Sequence, residues 1–190
     1  MKAKWLGVAW VVVLLAVCQA WADIVFDSGY NIYDDSNGYN YEVWVTNDAH
    51  LDVLGGSMWK LELTNLATSN IYSGDIELLT LNHNTFVNIY SSDVNFLAIQ
   101  DYTVVNIHGG TLNYFAAVES SLAYLYAYDV NYHSSGGLGG EGWIEGKYIS
   151  NDTPFSFSFY NDVSYSHINI VPEPTTLLLM GLGAIIVRFG

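Results

Sequence analysis

The chain is predicted to be all-β: a right-handed parallel β-solenoid of 18-residue coils with an antiparallel C-terminal cap. Three observations predict this: a gapless eighteen-residue repeat, apolar columns alternating with polar ones inside each repeat, and turn-forming residues at one fixed place between them. Cut from Ala49, the repeats read "AHLDVLGGSMWKLELTNL", "ATSNIYSGDIELLTLNHN", "TFVNIYSSDVNFLAIQDY" and "TVVNIHGGTLNYFAAVES". Val43-Trp44-Val45-Thr46-Asn47 falls over Leu61-Glu62-Leu63-Thr64-Asn65 before them. The following "SLAYLYAYDVNYH" keeps register through Asp129-Val130-Asn131.

Each element follows from the columns. Val53, Ile71, Ile89, Ile107 and Leu125 form one aliphatic column, and Met58, Ile76, Val94, Leu112 and Val130 a second. Leu63, Leu81 and Ile99 form a third. Polar or aromatic neighbours at alternate positions give period-2 strands. Gly55-Gly56-Ser57, Ser73-Gly74-Asp75, Ser91-Ser92-Asp93 and Gly109-Gly110-Thr111 supply the turns between them. One repeat cannot bury its apolar edge alone, whereas stacked copies extend a continuous core and pair every strand above and below. Three left-handed hexapeptides would also fill eighteen residues, but the apolar columns fall at uneven offsets, which favours two or three short strands per coil. Five to six coils at about 4.8 Å each give a body roughly 25 to 30 Å long.

Open strand edges must be blunted. Residues 23–41 are expected to cap the first coil. After His133, "SSGGLGGEG" reads as a turn, and "WIEGKYIS", "PFSFSFY" and "YSHINIV" alternate as antiparallel strands folding over the last coil. The expected organisation is 1–22 leader, 23–133 repeats, 134–170 β cap and 171–190 tail.

The leader is read from Lys2 and Lys4, the apolar run Trp5 to Val17, and Ala20-Trp21-Ala22, which places small residues at the two positions a signal peptidase reads. Cleavage after Ala22 leaves Asp23 first. Cys18 is the only cysteine; Val17 before it does not suit lipoprotein processing, and the thiol is expected to leave with the leader. The body then carries 18 acidic residues against two basic ones, Lys60 and Lys147, a balance of −16. Such a field disfavours nucleic acid and anionic lipid as partners.

Aligned columns turn every outward position into a ladder. Tyr72, Tyr90, His108 and Tyr126, with Phe96, Tyr114 and Tyr132 on the next strand, are a candidate glycan face, because sugar C–H edges stack on aromatic rings; the alternative is that the rings cover the sheet. Asp75 with Asp93, and His83 with Asp101 and Glu119, share columns that would suit a hard cation. The same residue types serve turns, and the Gly-Gly-x-Gly-x-Asp pattern of calcium-binding β-rolls is absent. His50, His83, His108, His133 and His167 show no metal-pair or triad spacing, and the body has no arginine. No catalytic residue, cofactor or metal is therefore expected.

The tail opens with Val171-Pro172-Glu173-Pro174, continues as an apolar run from Thr175 to Val187, and meets Arg188. Thirteen residues make a helix of about 20 Å, against a hydrocarbon core of about 30 Å. A short helix followed by one positive charge suits a transient membrane stop with Arg188 on the cytoplasmic side. The two prolines keep the junction extended and accessible. This order of Pro-Glu-Pro, apolar run and arginine resembles the PEP-CTERM sorting signal of Gram-negative bacteria that make exopolysaccharide. The family tail usually closes with several arginines, whereas this one ends Arg188-Phe189-Gly190. The resemblance implies recognition by an exosortase-type membrane protease, removal of the tail near the motif, and delivery to the cell surface or biofilm matrix. The repeats also resemble the β-solenoid bodies of many such proteins. The expected function is a non-enzymatic surface or matrix protein; the alternatives are a carbohydrate-binding module using the aromatic ladder, and a polysaccharide-active β-helix enzyme.

Overall fold

The structure is a computed structural model that describes residues 24–35, 42–134, 141–160 and 163–172. Its strands are β1 (Ile24–Phe26), β2 (Tyr30–Asp35), β3 (Glu42–Val45), β4 (His50–Leu63), β5 (Thr68–Ile71), β6 (Asp75–Leu81) and β7 (Phe86–Ile89). There follow β8 (Asp93–Ile99), β9 (Val104–Ile107), β10 (Thr111–Ala117), β11 (Leu122–His133), β12 (Trp143–Tyr148), β13 (Pro154–Phe159), a 3₁₀ turn over Ser164–His167, and β14 (Ile168–Val171). Pairing is parallel and in eighteen-residue register: His50 lies beside Thr68, Thr68 beside Phe86, and Phe86 beside Val104. On the second sheet Asp75 pairs with Asp93 and Asp93 with Thr111. This is a β-solenoid of about five turns.

Each regular coil contains a four-residue strand and a seven-residue strand. The longer one bends. Its burial runs exposed, buried, exposed, half-buried, buried, half-buried, buried in β6, so Ile76 and Leu79 both point inward three residues apart. Pairing steps from Ile76–Val94 to Leu78–Phe96 and skips Glu77 and Asn95. The bend gives the coil a short third side between its two main sheets.

The expected columns lie inside. Val53, Ile71, Ile89, Ile107 and Leu125 are buried, as are Met58, Ile76, Val94 and Leu112, and Leu63, Leu81 and Ile99. The core also holds a fourth column, Val43, Leu61, Leu79, Leu97 and Phe115, each 0% exposed. Small residues fill the corner where the seven-residue strand turns back: Ala49, Ala67, Thr85, Thr103 and Ser121 are buried. Their hydroxyls are satisfied locally, Thr85 Oγ1 lying 3.1 Å from Thr103 Oγ1 and Ser121 Oγ donating to the Val118 carbonyl at 2.7 Å.

That corner turns through residues with positive φ, one per coil: Asn47, Asn65, His83, Asp101 and Glu119, at 57° to 68°. Asparagine and aspartate tolerate this conformation better than most side chains. The opposite corner uses Gly56, Gly74 and Gly110 at φ 91°, 117° and 95°. Gly55-Gly56-Ser57 was expected to break the chain between strands, but β4 runs through it from His50 to Leu63.

Residues 23–41 were expected to cap the first coil. In the described part of that segment, β1 and β2 instead add parallel strands to β3 and β4, offset by nineteen and twenty residues (Ile24 beside Val43, Tyr30 beside His50). They make one further, irregular coil.

At the other end the repeat breaks earlier than its sequence implies. Val130 and Tyr132 were expected to continue the columns of Leu112 and Tyr114. Instead β11 leaves the stack and pairs antiparallel with β12, while β13 takes the place beside β10, setting Ser158 against Tyr114 and Phe159 against Phe115. In-register continuation would have placed His133 under Phe115 in the driest column. Phe159 fills that position, and His133 stays outside, stacked on Trp143 with ring centroids 3.9 Å apart. Strands β12 and β13 are antiparallel, as expected. Strand β14 is not: it runs parallel to β11 on the other sheet, Ile168 beside Ala123 and Val171 beside Tyr126. Ile144, Tyr148, Phe155, Phe157 and Phe159 close the end of the core. Among the described residues no helix is long and apolar enough to cross a membrane. The leader and the apolar run 175–187 lie outside the described residues.

Candidate functional site

Strand β14 ends at Val171, hydrogen-bonded in register opposite Tyr126, and Pro172 follows at once. Proline lacks the N–H that a continuing strand would need, so the ladder stops there. No spacer separates the last coil from the Pro-Glu-Pro segment. Glu173, Pro174 and Arg188 lie outside the described residues, as do Ala20 and Ala22.

Tyr72, Tyr90, His108 and Tyr126 are brought together as a continuous stack along the solenoid axis. Ring centroids are 5.1 Å apart from Tyr72 to Tyr90, 5.1 Å from Tyr90 to His108 and 4.0 Å from His108 to Tyr126, with interplanar angles of 7°, 11° and 23°. Backbone bonds between coils fix the spacing: the Tyr90 N–H donates to the Ile71 carbonyl at 2.9 Å and that of His108 to Ile89 at 2.8 Å. Near-parallel rings at such separations would overlap if they lay side by side in one plane, so their faces are turned toward one another, offset. The flank of the ladder therefore presents ring edges and hydroxyls. Burial of the His108 imidazole holds its pKa below the ordinary histidine value. Phe96 and Tyr114 form a separate pair at 6.2 Å, with Tyr160 edge-on to Phe96. Tyr132 does not join them; it stacks on Tyr165 at 3.9 Å because β11 has left the coil.

Beside the aromatic ladder runs an amide ladder. Asn106 donates to Asn88 and Asn88 to Asn70, each at 2.8 Å, and Asn70 donates to Asp52 at 2.9 Å. Asp52 terminates the series and also accepts from the Tyr30 hydroxyl, while His50 Nε2 lies 3.0 Å from its other contact oxygen, Oδ1. Burial pushes the Asp52 carboxyl up, but the hydrogen bonds from Tyr30, Asn70 and His50 outweigh it and hold the pKa below its ordinary 3.8. A depressed folded-state value means that this carboxylate contributes stability above its ordinary range and loses it as pH falls through 3.8 toward the folded value. Urea midpoints measured from neutral pH down to the acid limb should fall more gently for Asp52→Asn than for the unmodified protein; an identical slope would show that Asp52 is not linked to folding.

The two acidic columns have structural partners. At the positive-φ corner, the His83 N–H donates to Asp101 Oδ2 at 2.9 Å and the Asp101 N–H to Glu119 Oε2 at 3.1 Å. The hydrogen bond shared with Glu119, and then the His83 amide, lower the Asp101 pKa, while the same shared bond raises that of Glu119. Each carboxylate thus accepts from the backbone of the coil before it. Asp75 and Asp93 sit one rung apart, and Ser57 Oγ donates to Asp75 at 3.2 Å. Among the described residues no three His, Cys, Asp or Glu side chains converge where they would hold a metal ion. His133 approaches Glu145 at 3.3 Å; of the other histidines, His167 Nδ1 lies 2.8 Å from the Ser121 carbonyl.

A groove of about 180 Å³ runs along the short third side of the coil. It was not anticipated, although the column that builds one wall (Trp59, Glu77, Asn95 and Asn113) keeps the eighteen-residue spacing. The column opens on Trp59 and Glu77 and only its last two members are alike, which hides the register from a search for like residues.

Residues 171–190 match the family model of the PEP-CTERM protein-sorting motif. No curated protein and no solved structure matches the chain. The chain therefore carries a PEP-CTERM protein-sorting motif, which begins at the final residue of the last described strand of a β-solenoid body.

Proposed function

We propose that this protein is exported, freed of its leader after Ala22, sorted through its Pro-Glu-Pro motif by an exosortase-type membrane protease, and placed as a non-enzymatic acidic solenoid at the cell surface or in the extracellular matrix of a Gram-negative bacterium. The observation that carries this reading is the position of the motif: it begins at Val171, the last residue of the last strand among the described residues. Cleavage next to it would release a body whose coils and aromatic cap are complete. In this reading the apolar run 175–187 forms a short helix that holds the chain in the inner membrane only until the cut, with Arg188 on the cytoplasmic side. The coil is right-handed, following the strong bias of parallel crossovers.

The intact mass of the protein recovered from spent medium, cell surface and membranes tests this reading. The surface and medium forms should lack the leader and most of residues 175–190. Replacing Pro172, Glu173 and Pro174 by alanine should leave the full tail attached and shift the protein almost entirely to the membrane fraction. A surface form that keeps its last fifteen residues would overturn the reading.

A further inference from the structure

We propose that the groove on the short third side of the coil binds an uncharged polysaccharide chain, with Trp59 as the stacking platform and the Glu77-Asn95-Asn113 column as its hydrogen-bonding wall. The inference does not depend on how the tail is processed.

The groove is made by two outward columns that flank an inward one. Met58, Ile76 and Val94 point into the core beneath it, between 1% and 3% exposed. Ser57, Asp75, Asp93 and Thr111 form one wall and the Trp59 column the other, so the groove crosses four coils. Three steps of about 4.8 Å give it a length of about 14 Å, enough for two or three pyranose rings laid along the solenoid axis.

Its chemistry is that of a hydroxyl-rich, uncharged ligand. Trp59 is 50% exposed, and among the described residues no other ring stacks on it, in contrast to Tyr90 and His108, whose faces are taken by their neighbours. A sugar ring offers C–H groups to such an indole face. Along the wall, Asn113 donates to Asn95 at 3.0 Å and Asn95 to Glu77 at 2.6 Å. Each amide spends one N–H in the ladder and keeps the second; each carboxylate keeps lone pairs. Donors and acceptors thus alternate along a line, held in place before any ligand arrives, which lowers the ordering cost of binding. Asp75, Glu77 and Asp93, with no basic side chain in the lining, repel phosphates and uronates. The strands beneath are paired on both sides, so no free backbone edge invites a peptide strand.

The test uses protein from cells expressing the full chain, against neutral hexose oligosaccharides, uronate oligosaccharides and cationic deacetylated amino-sugar oligosaccharides, with binding followed by calorimetry and tryptophan fluorescence. A neutral member should bind and change the fluorescence, and Trp59→Ala should weaken it at least tenfold. Asn95→Ala should weaken it severalfold, while Tyr90→Ala stays within twofold. Circular dichroism confirms that each variant is folded, and Trp59→Phe, which keeps a ring, should retain part of the affinity. Binding of no neutral glycan, binding indifferent to Trp59→Ala, or binding only of the cationic series with loss at high salt would each overturn the proposal.

Discussion

Leu79→Asp is expected to abolish the cooperative fold. Leu79 is 0% exposed and sits in the middle of the column Val43, Leu61, Leu79, Leu97 and Phe115, so no coil end lies close enough to let water in. Truncation there to alanine already removes about 2 to 5 kcal/mol through lost transfer energy and a cavity that stacked neighbours cannot collapse around. A carboxylate adds the cost of an unpaired charge in a dry site, several kcal/mol more. The total rivals the roughly 5 to 15 kcal/mol that a domain has available. Far-UV circular dichroism in urea should show Leu79→Ala unfolding at a clearly lower midpoint and Leu79→Asp unfolded without denaturant. Leu66→Asp, at a position 62% exposed in the next corner, should lie close to the unmodified protein. A folded Leu79→Asp protein of normal midpoint would mean that the column faces solvent, and the coil assignment would fall with it.

The columns were legible because stacking forces like residues into contact. Val53, Ile71, Ile89, Ile107 and Leu125 repeat every eighteen residues since each must fill the same slot of the same cross-section. What was not legible is what alternation does not encode. "YSHINIV" alternates equally well as a parallel or an antiparallel strand, and only its tertiary partner, β11, decides. The end of the repeat was in fact written at His133. Extending the column of Leu61, Leu79, Leu97 and Phe115 by eighteen residues puts an imidazole where an apolar side chain is required, and the structure answers by bringing in Phe159. The corner through Asn47, Asn65, His83, Asp101 and Glu119 was hidden for another reason. A positive φ is a backbone demand, and where the side chain is held by the backbone of the coil before, as at Asp101 and Glu119, even a residue type that rarely signals such a turn is accommodated.

The sorting motif and the binding groove sit at opposite ends of legibility. Residues 171–190 match a sorting motif whose signature is linear and needs no fold to be seen. The groove exists only because the seven-residue strand bends at Glu77, which no run of the sequence announces; its walls become neighbours when the coil closes. The Tyr72 ladder lies between these cases. Its members repeat every eighteen residues and are brought together, yet the geometry that stacks them turns their faces on one another, whereas Trp59 is half exposed with no ring stacked on it among the described residues.

The second large effect is expected at Gly110. Its φ of 95° lies where side chains are strained, and a Cβ built there would meet the Ser92 carbonyl oxygen at 2.1 Å and the Ser92 nitrogen at 2.9 Å. These are backbone atoms of the coil beneath, held in the parallel ladder by the Thr111 N–H donating to the same Ser92 oxygen at 3.0 Å. Relief therefore requires two coils to separate locally, not a side chain to rotate. Gly110→Ala should lower stability by about 3 kcal/mol or more, strain and lost inter-coil bonding acting together. Gly29 is the control: its φ is also positive, at 71°, but a Cβ there meets nothing within 4 Å. Gly29→Ala should cost only the conformational term, about 1 kcal/mol, partly offset by the stiffer unfolded chain. Thermal and urea unfolding of the two variants separates the contributions, since only Gly110→Ala carries the clash. Equal losses at the two sites would mean that backbone strain alone sets the cost and that neighbouring coils are not in contact at this corner. A larger loss at Gly110 would show that neighbouring coils are in close backbone contact at this corner, two residues from His108 of the aromatic ladder.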